Sequence, residues 1–166
     1  TSSGKYGKGA NFTISNNSRI TTSGMGSTST FSVVMWAKLT SDYSGLQQDG
    51  GIWGNNDGWN GYGQPYAYLR SSTNNPNTGG ASWFLLNEYG DDPDNAGIGS
   101  AYAQVDFNDN LWHHVVVTYD SASTTEKYYV DGTLVRTNTY TSRPTTTFNN
   151  FTIGSSRFGG SWRSHE

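Results

Sequence analysis

The sequence predicts an all-β protein, built as a two-sheet antiparallel β-sandwich. Three observations carry this. Gly (21), Ser (21), Thr (20) and Asn (16) make up about 47% of the 166 residues; they favour turns or, for Thr, strands, and all are poor helix formers. Short alternating segments recur every 8–15 residues between clusters of Asn, Gly, Ser, Pro and Asp, which is the spacing of a sandwich or barrel. Leu, Ile, Val and Phe together number 27, whereas aromatic residues reach 14% and net charge is only −3. Disordered chains have few rings and high net charge, so this one folds around a core that leans on Tyr and Trp.

Strands are expected near 10–15, 19–22, 30–40, 51–54, 66–71, 81–88, 100–106, 112–120, 126–131, 134–141 and 150–154. In the third, Phe31, Val33, Met35, Ala37 and Leu39 share the face assigned to the core, because side chains alternate along a strand. Val34 and Trp36 make its other face partly apolar, which calls for a cover. Residues 112–120 set His113, Val115, Val117 and Tyr119 on one face and Trp112, His114, Val116 and Thr118 on the other. Two faces of mixed polarity indicate a central strand. Asp131-Gly132, between Tyr128-Tyr129-Val130 and Thr133-Leu134-Val135, suits a two-residue type I′ hairpin, whose central positions both need positive φ.

At this length the chain makes one domain. Residues 1–9 have the composition of a linker or lead-in, and 10–166 form the sandwich. The chain opens at Thr1 with no signal-like segment, and reads as an excised or processed piece of a longer protein. No apolar run approaches the roughly 18 residues of a membrane span, so membrane insertion is not expected. With pI near 5.5 there is no basic field for phosphates, so nucleic acid is not an expected partner. The absence of Cys removes disulfides, thiolate metal sites and Cys nucleophiles together.

Two loops are rich in chemistry. Residues 41–65 hold Trp53, Trp59 and Tyr62 beside Asn55, Asn56, Asp57 and Asn60. Sugars present apolar C–H faces ringed by hydroxyls, and rings flanked by amides complement them. Trp53, Asn55, Asn56, Trp59, Asn60, Tyr62 and Tyr89 are therefore the candidate ligand-binding residues, against the plainer alternative that such rings fill a Leu-poor core. Residues 88–99 hold Asp91, Asp92, Asp94 and Asn95. With Asp57 they are candidate ligands for Ca²⁺, which takes six to eight oxygen ligands; the same residue types also cap turns. Catalysis finds little support. Paired carboxylates need a stiff mount, and Gly90 and Pro93 make Glu88–Asp94 a loop. His113 and His114 are adjacent, so on a strand they point to opposite faces and cannot chelate one ion. Packing with a satisfied ring nitrogen is their plainer role.

Leu111-Trp-His-His-Val-Val-Val-Thr-Tyr-Asp120 followed by Tyr129-Val-Asp-Gly132 resembles the laminin-G-like, concanavalin A-like jelly-roll family. Gly4–Phe12, Phe31–Lys38 and Phe151-Thr-Ile-Gly154 are similar to further segments of it. The resemblance covers about 10–40 and 110–155. It implies two curved antiparallel sheets packed face to face, a structural role for the paired histidines, and Ca²⁺ at a sandwich edge, as in many members. The family usually has a strand before the glycine-rich lead-in and a long strand after the Phe-Thr-Ile-Gly-like segment. Residues 155–166 show no such strand, so the jelly roll is expected to lack one or more terminal strands, truncated or supplied by a neighbouring polypeptide.

The expected function is a non-catalytic recognition or adhesion module of an extracellular, cell-surface or virion-surface protein. It would bind a glycan or glycoprotein through rim loops, assisted by Ca²⁺. The alternative is a structural or adhesive subunit of a phage or viral particle, or of another assembly, that works through protein contacts. A glycoside hydrolase is a minor third reading.

Overall fold

A computed structural model describes residues 2–12, 19–38, 50–55, 65–71, 83–89, 101–105, 109–139, 146–158 and 161–164. Their regular structure is entirely extended. Two short strands, β1 (Ser2–Ser3) and β2 (Lys8–Gly9), precede β3 (Ile20–Thr28), β4 (Thr30–Ala37), β5 (Gly50–Asn55), β6 (Pro65–Ser71) and β7 (Trp83–Tyr89). There follow β8 (Ala101–Val105), β9 (His113–Asp120), β10 (Thr125–Val130), β11 (Thr133–Thr139), β12 (Thr146–Ile153), β13 (Ser155–Phe158) and β14 (Ser161–Ser164).

Two antiparallel sheets dominate. One is four-stranded in the order β11-β10-β9-β4; the other is six-stranded in the order β3-β12-β5-β6-β7-β8. β9 is an inner strand, as its two mixed faces require. It pairs with β4 through Met35↔Val115 and with β10 through Tyr128↔Val117. In β4 the inward phase holds Phe31, Val33, Met35 and Ala37, and the outward phase holds Ser32, Val34 and Trp36. Leu39 lies outside the described residues. β10 and β11 are joined by the expected hairpin: Val130 pairs with Thr133, and φ is +49° at Asp131 and +81° at Gly132. That backbone twist matches the twist of the strands it joins.

Rings stack between the layers. Phe31 and Tyr119 of the four-stranded sheet lie 5.3 Å apart, and Phe31 meets Trp53 of the six-stranded sheet edge-on at 6.3 Å. Trp53 in turn stacks on Phe151 of β12 at 5.6 Å. Each such pair adds about 0.5–1.5 kcal/mol beyond the burial of its area. Val115, Val117, Tyr128 and Val130 complete the described core. Aromatic hydrocarbon thus stands in for the missing Leu and Ile.

Several boundaries differ from the sequence reading. No strand begins at residues 10–12, and 13–18 lie outside the described residues. β3 runs to Thr28 and β12 begins at Thr146, each longer than expected, because the two strands pair with each other from Ile20↔Ile153 to Thr28↔Thr146 across an irregularity near Phe148. Polar, Gly-containing segments extended as strands here because a partner was available, not because of any periodicity of their own. Residues 2–9 form a small hairpin, with Ser2 opposite Gly9, closed by an amide bond from Gly4 to the Gly7 carbonyl at 2.9 Å. Residues 155–164 form another, with Ser155 opposite Ser164.

The hairpin at the start supplies the cover that the outer face of β4 requires. Tyr6 meets Trp36 edge-on at 5.7 Å, the Lys5 ammonium sits 4.9 Å from the centre of the Trp36 ring, and His114 packs beside that ring at 5.1 Å. The cover is partial: Trp36 remains 38% exposed and Val34 59%.

Candidate functional site

The first described cluster of titratable groups lies where β9 begins. Alternation turns His113 toward the face of Val115 and Val117, and the type I′ turn swings Asp131 back over the start of the same strand. His113 Nδ1 lies 2.8 Å from Asp131 Oδ2, and its Nε2 lies 3.0 Å from Asp109 Oδ1, both at hydrogen-bond distance. The other oxygen of Asp131 accepts the amide of His114 at 2.8 Å, while the Asp131 amide donates to the His114 carbonyl at 2.9 Å. Asp109 also accepts the amide of Leu111 at 2.9 Å, across Asn110 in the left-handed region at φ +59°. Asx geometry of this kind is a common way to close a turn. One imidazole therefore ties the segment before β9 to the turn after β10.

The electrostatics follow from this geometry. Burial disfavours the charge on His113, but its hydrogen bonds to Asp109 and Asp131 outweigh that and raise its pKa above the usual 6.5. The bond from His113 lowers the Asp109 carboxyl below 3.8. For Asp131 the larger cause of the lowering is the His114 amide, followed by His113. Both ring nitrogens are occupied by opposite partners, so His113 has no free edge with which to chelate an ion or take a substrate proton. The sequence reading expected one satisfied nitrogen; both are satisfied.

A second polar group is hidden in the core. Glu126 is fully buried, and the Tyr128 hydroxyl donates to its Oε2 at 2.9 Å. Glu126 falls on the inward phase of β10 with Tyr128 and Val130. The sequence reading missed it. A lone carboxylate among alternating Tyr and Val was the available signal, since inward phase and charge conflict unless a partner is present.

The expected ligand residues fare differently. Trp53 is corrected: at 1% exposure it is a core ring between Phe31 and Phe151, not part of a solvent-facing surface. Asn55 closes β5 opposite Phe151, and Tyr89 closes β7 opposite Pro65. β5 and β6 pair through Gly54↔Tyr66, so Asn55, Pro65 and Tyr89 lie at one end of the six-stranded sheet. Segments 56–64 and 90–100, which carry most of the remaining candidates, follow Asn55 and Tyr89 in the sequence. Asn56, Asp57, Trp59, Asn60, Tyr62, Asp91, Asp92, Asp94 and Asn95 themselves lie outside the described residues.

With this architecture in view, comparison with known families is decisive. The family model of the concanavalin A-like lectin/glucanases superfamily, of laminin G type, matches residues 7–164. The chain belongs to that superfamily. The sequence resemblance at residues 10–40 and 110–155 was thus a true one, and the match runs through the middle of the chain as well. No curated protein matches the sequence.

Solved structures show the same superfamily fold at low identity. A heptameric SAP-like pentraxin from Limulus polyphemus aligns with a TM-score of 0.59 and 13% identity, over 89% of this chain and 64% of that one. Domains LG4-5 of the mouse laminin alpha1 chain align at 0.54 and 16%, over 93% of this chain and 38% of that one. The carbohydrate-binding module CBM40 of the Ruminococcus gnavus IT-sialidase, bound to alpha2,3 sialyllactose, aligns at 0.55 and 14%, over 88% and 85%. This chain therefore spans less than two thirds of the pentraxin and laminin chains.

Proposed function

We propose that this chain is a non-catalytic recognition module of an extracellular or surface protein, binding carbohydrate or glycoprotein through loops at one rim of the sandwich. The observation behind the reading is the meeting of strand ends Asn55, Pro65 and Tyr89 at one end of the six-stranded sheet, in a fold whose superfamily is described by lectins and glucanases. Asn55, Asn56, Trp59, Asn60, Tyr62 and Tyr89 are the proposed ligand residues; Trp53 is withdrawn from that set because it is spent on the core. A non-catalytic role is supported by the one described His–carboxylate cluster, in which His113 is committed to structure on both sides.

Calcium is part of the proposal. Asp57, Asp91, Asp92, Asp94 and Asn95 would hold it, and sugar hydroxyls can complete the oxygen shell of such an ion. Glycan-array screening, followed by calorimetry of the best hits with Ca²⁺ and then with EGTA, tests both points. Binding that is lost in Trp59→Ala and weakened by EGTA supports the reading. An array with no hits in either condition overturns it, and release of reducing sugar from mixed polysaccharides would instead make the chain a glycosidase.

A second reading, an adhesive subunit that works through protein contacts, draws on the outer face of the four-stranded sheet. Val34, Val116, Tyr129 and Leu134 form one cross-strand row there, and Val34 and Leu134 are exposed. Exposed apolar rows of this kind are common in interfaces.

A further inference from the structure

We infer that His113 is a pH-operated latch, which holds residues 109–112 against the β10–β11 turn as an imidazolium and lets them go when it becomes neutral. The inference starts from donor arithmetic. Nδ1 faces Asp131 Oδ2 at 2.8 Å and Nε2 faces Asp109 Oδ1 at 3.0 Å. An ionised carboxylate only accepts, and a neutral imidazole has one N–H. The cationic ring satisfies both carboxylates. The neutral ring satisfies one and turns a lone pair toward the other.

The geometry also decides which bond breaks. Asp131 is held a second time by the His114 amide at 2.8 Å, and its own backbone is fixed by the bond to the His114 carbonyl. Asp109 has no such anchor on β9; besides His113 it holds the amide of Leu111 within its own turn. The neutral ring therefore keeps Nδ1–H on Asp131 and leaves Nε2 bare toward Asp109. Repulsion between that lone pair and the carboxylate opens the 109–112 segment, while the hairpin turn stays in place. What changes at the surface is the setting of Leu111, an exposed apolar side chain carried on this segment.

The charged surroundings of the ring are few among the described residues. Asp109 and Asp131 face it directly, and His114 follows it on β9. β4 brings uncharged Ala37 opposite His113, with Lys38 next in the chain. Two carboxylates against one imidazolium favour the latched state. The latch is engaged once both carboxylates are ionised and opens as pH rises through the titration of His113. Because its pKa is raised by Asp109 and Asp131, opening belongs on the alkaline side of 6.5.

NMR of the chain across pH 5–9 tests this with two readouts, the ¹⁵N shifts of the His113 ring and hydrogen exchange of the Leu111 amide. At pH 6 both ring nitrogens should be protonated; above the titration the ring should be the Nδ1–H tautomer. Leu111 protection should fall with the same midpoint, by about tenfold for each unit by which opening shifts the His113 titration, after correction for hydroxide-catalysed exchange. In Asp109→Asn, which keeps an oxygen for Leu111 but loses the charge, the His113 titration should move down. In His113→Gln, Leu111 protection should lose its pH dependence. An Nε2–H tautomer at high pH, Leu111 protection indifferent to the His113 titration, or an unmoved titration in Asp109→Asn would overturn the latch.

Discussion

The ring of Phe12 lies across the position where Gly154 would carry a side chain. A Cβ built on Gly154 overlaps the Phe12 ring carbons, and φ there is +83°. The contact pins the lead-in segment to the corner between β12 and β13, at the Phe-Thr-Ile-Gly stretch that carried part of the sequence resemblance.

Gly154→Ala should therefore be costlier than the same change at Gly132, where φ is +81° but no atom lies within 4 Å of the added carbon. Left-handed strain alone costs about 1–2 kcal/mol. At Gly154 displacement of the ring adds to that, for a total of about 2–5 kcal/mol, since overpacking contributes roughly 1–3 kcal/mol. Thermal unfolding of the two variants, compared with Phe12→Ala/Gly154→Ala, measures the difference. Equal losses at the two glycines would remove the Phe12 contact from the account.

Trp53→Ala should destabilise the fold by about 3–5 kcal/mol, the usual cost of emptying a buried aromatic site. Trp36→Ala should cost much less, because the Trp36 ring is part-exposed and leans on Lys5 and Tyr6. Urea unfolding ranks the two. A Trp53→Ala protein of unchanged stability that had lost glycan binding would restore Trp53 to the ligand site.

Tyr128→Phe deletes one hydroxyl and leaves the Glu126 carboxylate, buried in the core, one donor short. A loss of about 0.5–1.5 kcal/mol is expected, the usual net worth of one hydrogen bond. Glu126→Gln should cost less in the Tyr128→Phe background than alone, because the hydrogen bond it would alter is already gone. Denaturant midpoints of the single and double variants decide this, and additivity would argue against any coupling between the two side chains.

Stability should peak between the titrations of Asp109 and Asp131 on one side and His113 on the other. The folded pKa of His113 is raised, so its contribution is complete below 6.5 and fades as pH climbs through the raised value. The folded values of both aspartates are lowered, so theirs are complete above 3.8 and fade as pH falls through the lowered values. Asp120, lowered by the Ser123 hydroxyl and the Ala122 amide, adds to the acid limb. Unfolding free energy followed from pH 3 to 9 should lose its alkaline limb in His113→Gln and keep its acid limb. An alkaline limb that survives the substitution belongs to another group.

The segments that spoke clearly in the sequence are those whose signal is local. Alternation along Phe31–Ala37 set the inward phase of β4 without reference to any partner. Asp131-Gly132 announced its hairpin because positive φ at two adjacent positions is a demand few residue pairs meet. The excess of rings over Leu foretold a core of stacked aromatics, and Phe31, Tyr119, Trp53 and Phe151 supply it. The candidate ligand segments stood out by composition, and the residues before them, Asn55 and Tyr89, lie at one end of the six-stranded sheet.

Sequence alone determined that this chain is a two-layer β protein with an aromatic core and a fixed hairpin between β10 and β11. Tertiary structure decided which ring goes where: that Trp53 belongs to the core, that Glu126 is buried against Tyr128, that Asp109 and Asp131 converge on His113, and that residues 2–9 fold back over Trp36. The reason is range. Backbone periodicity and turn chemistry act over a few residues and are written in order along the chain. The identity of a side chain's neighbour depends on how sheets separated by dozens of residues close on one another, and no local pattern records that.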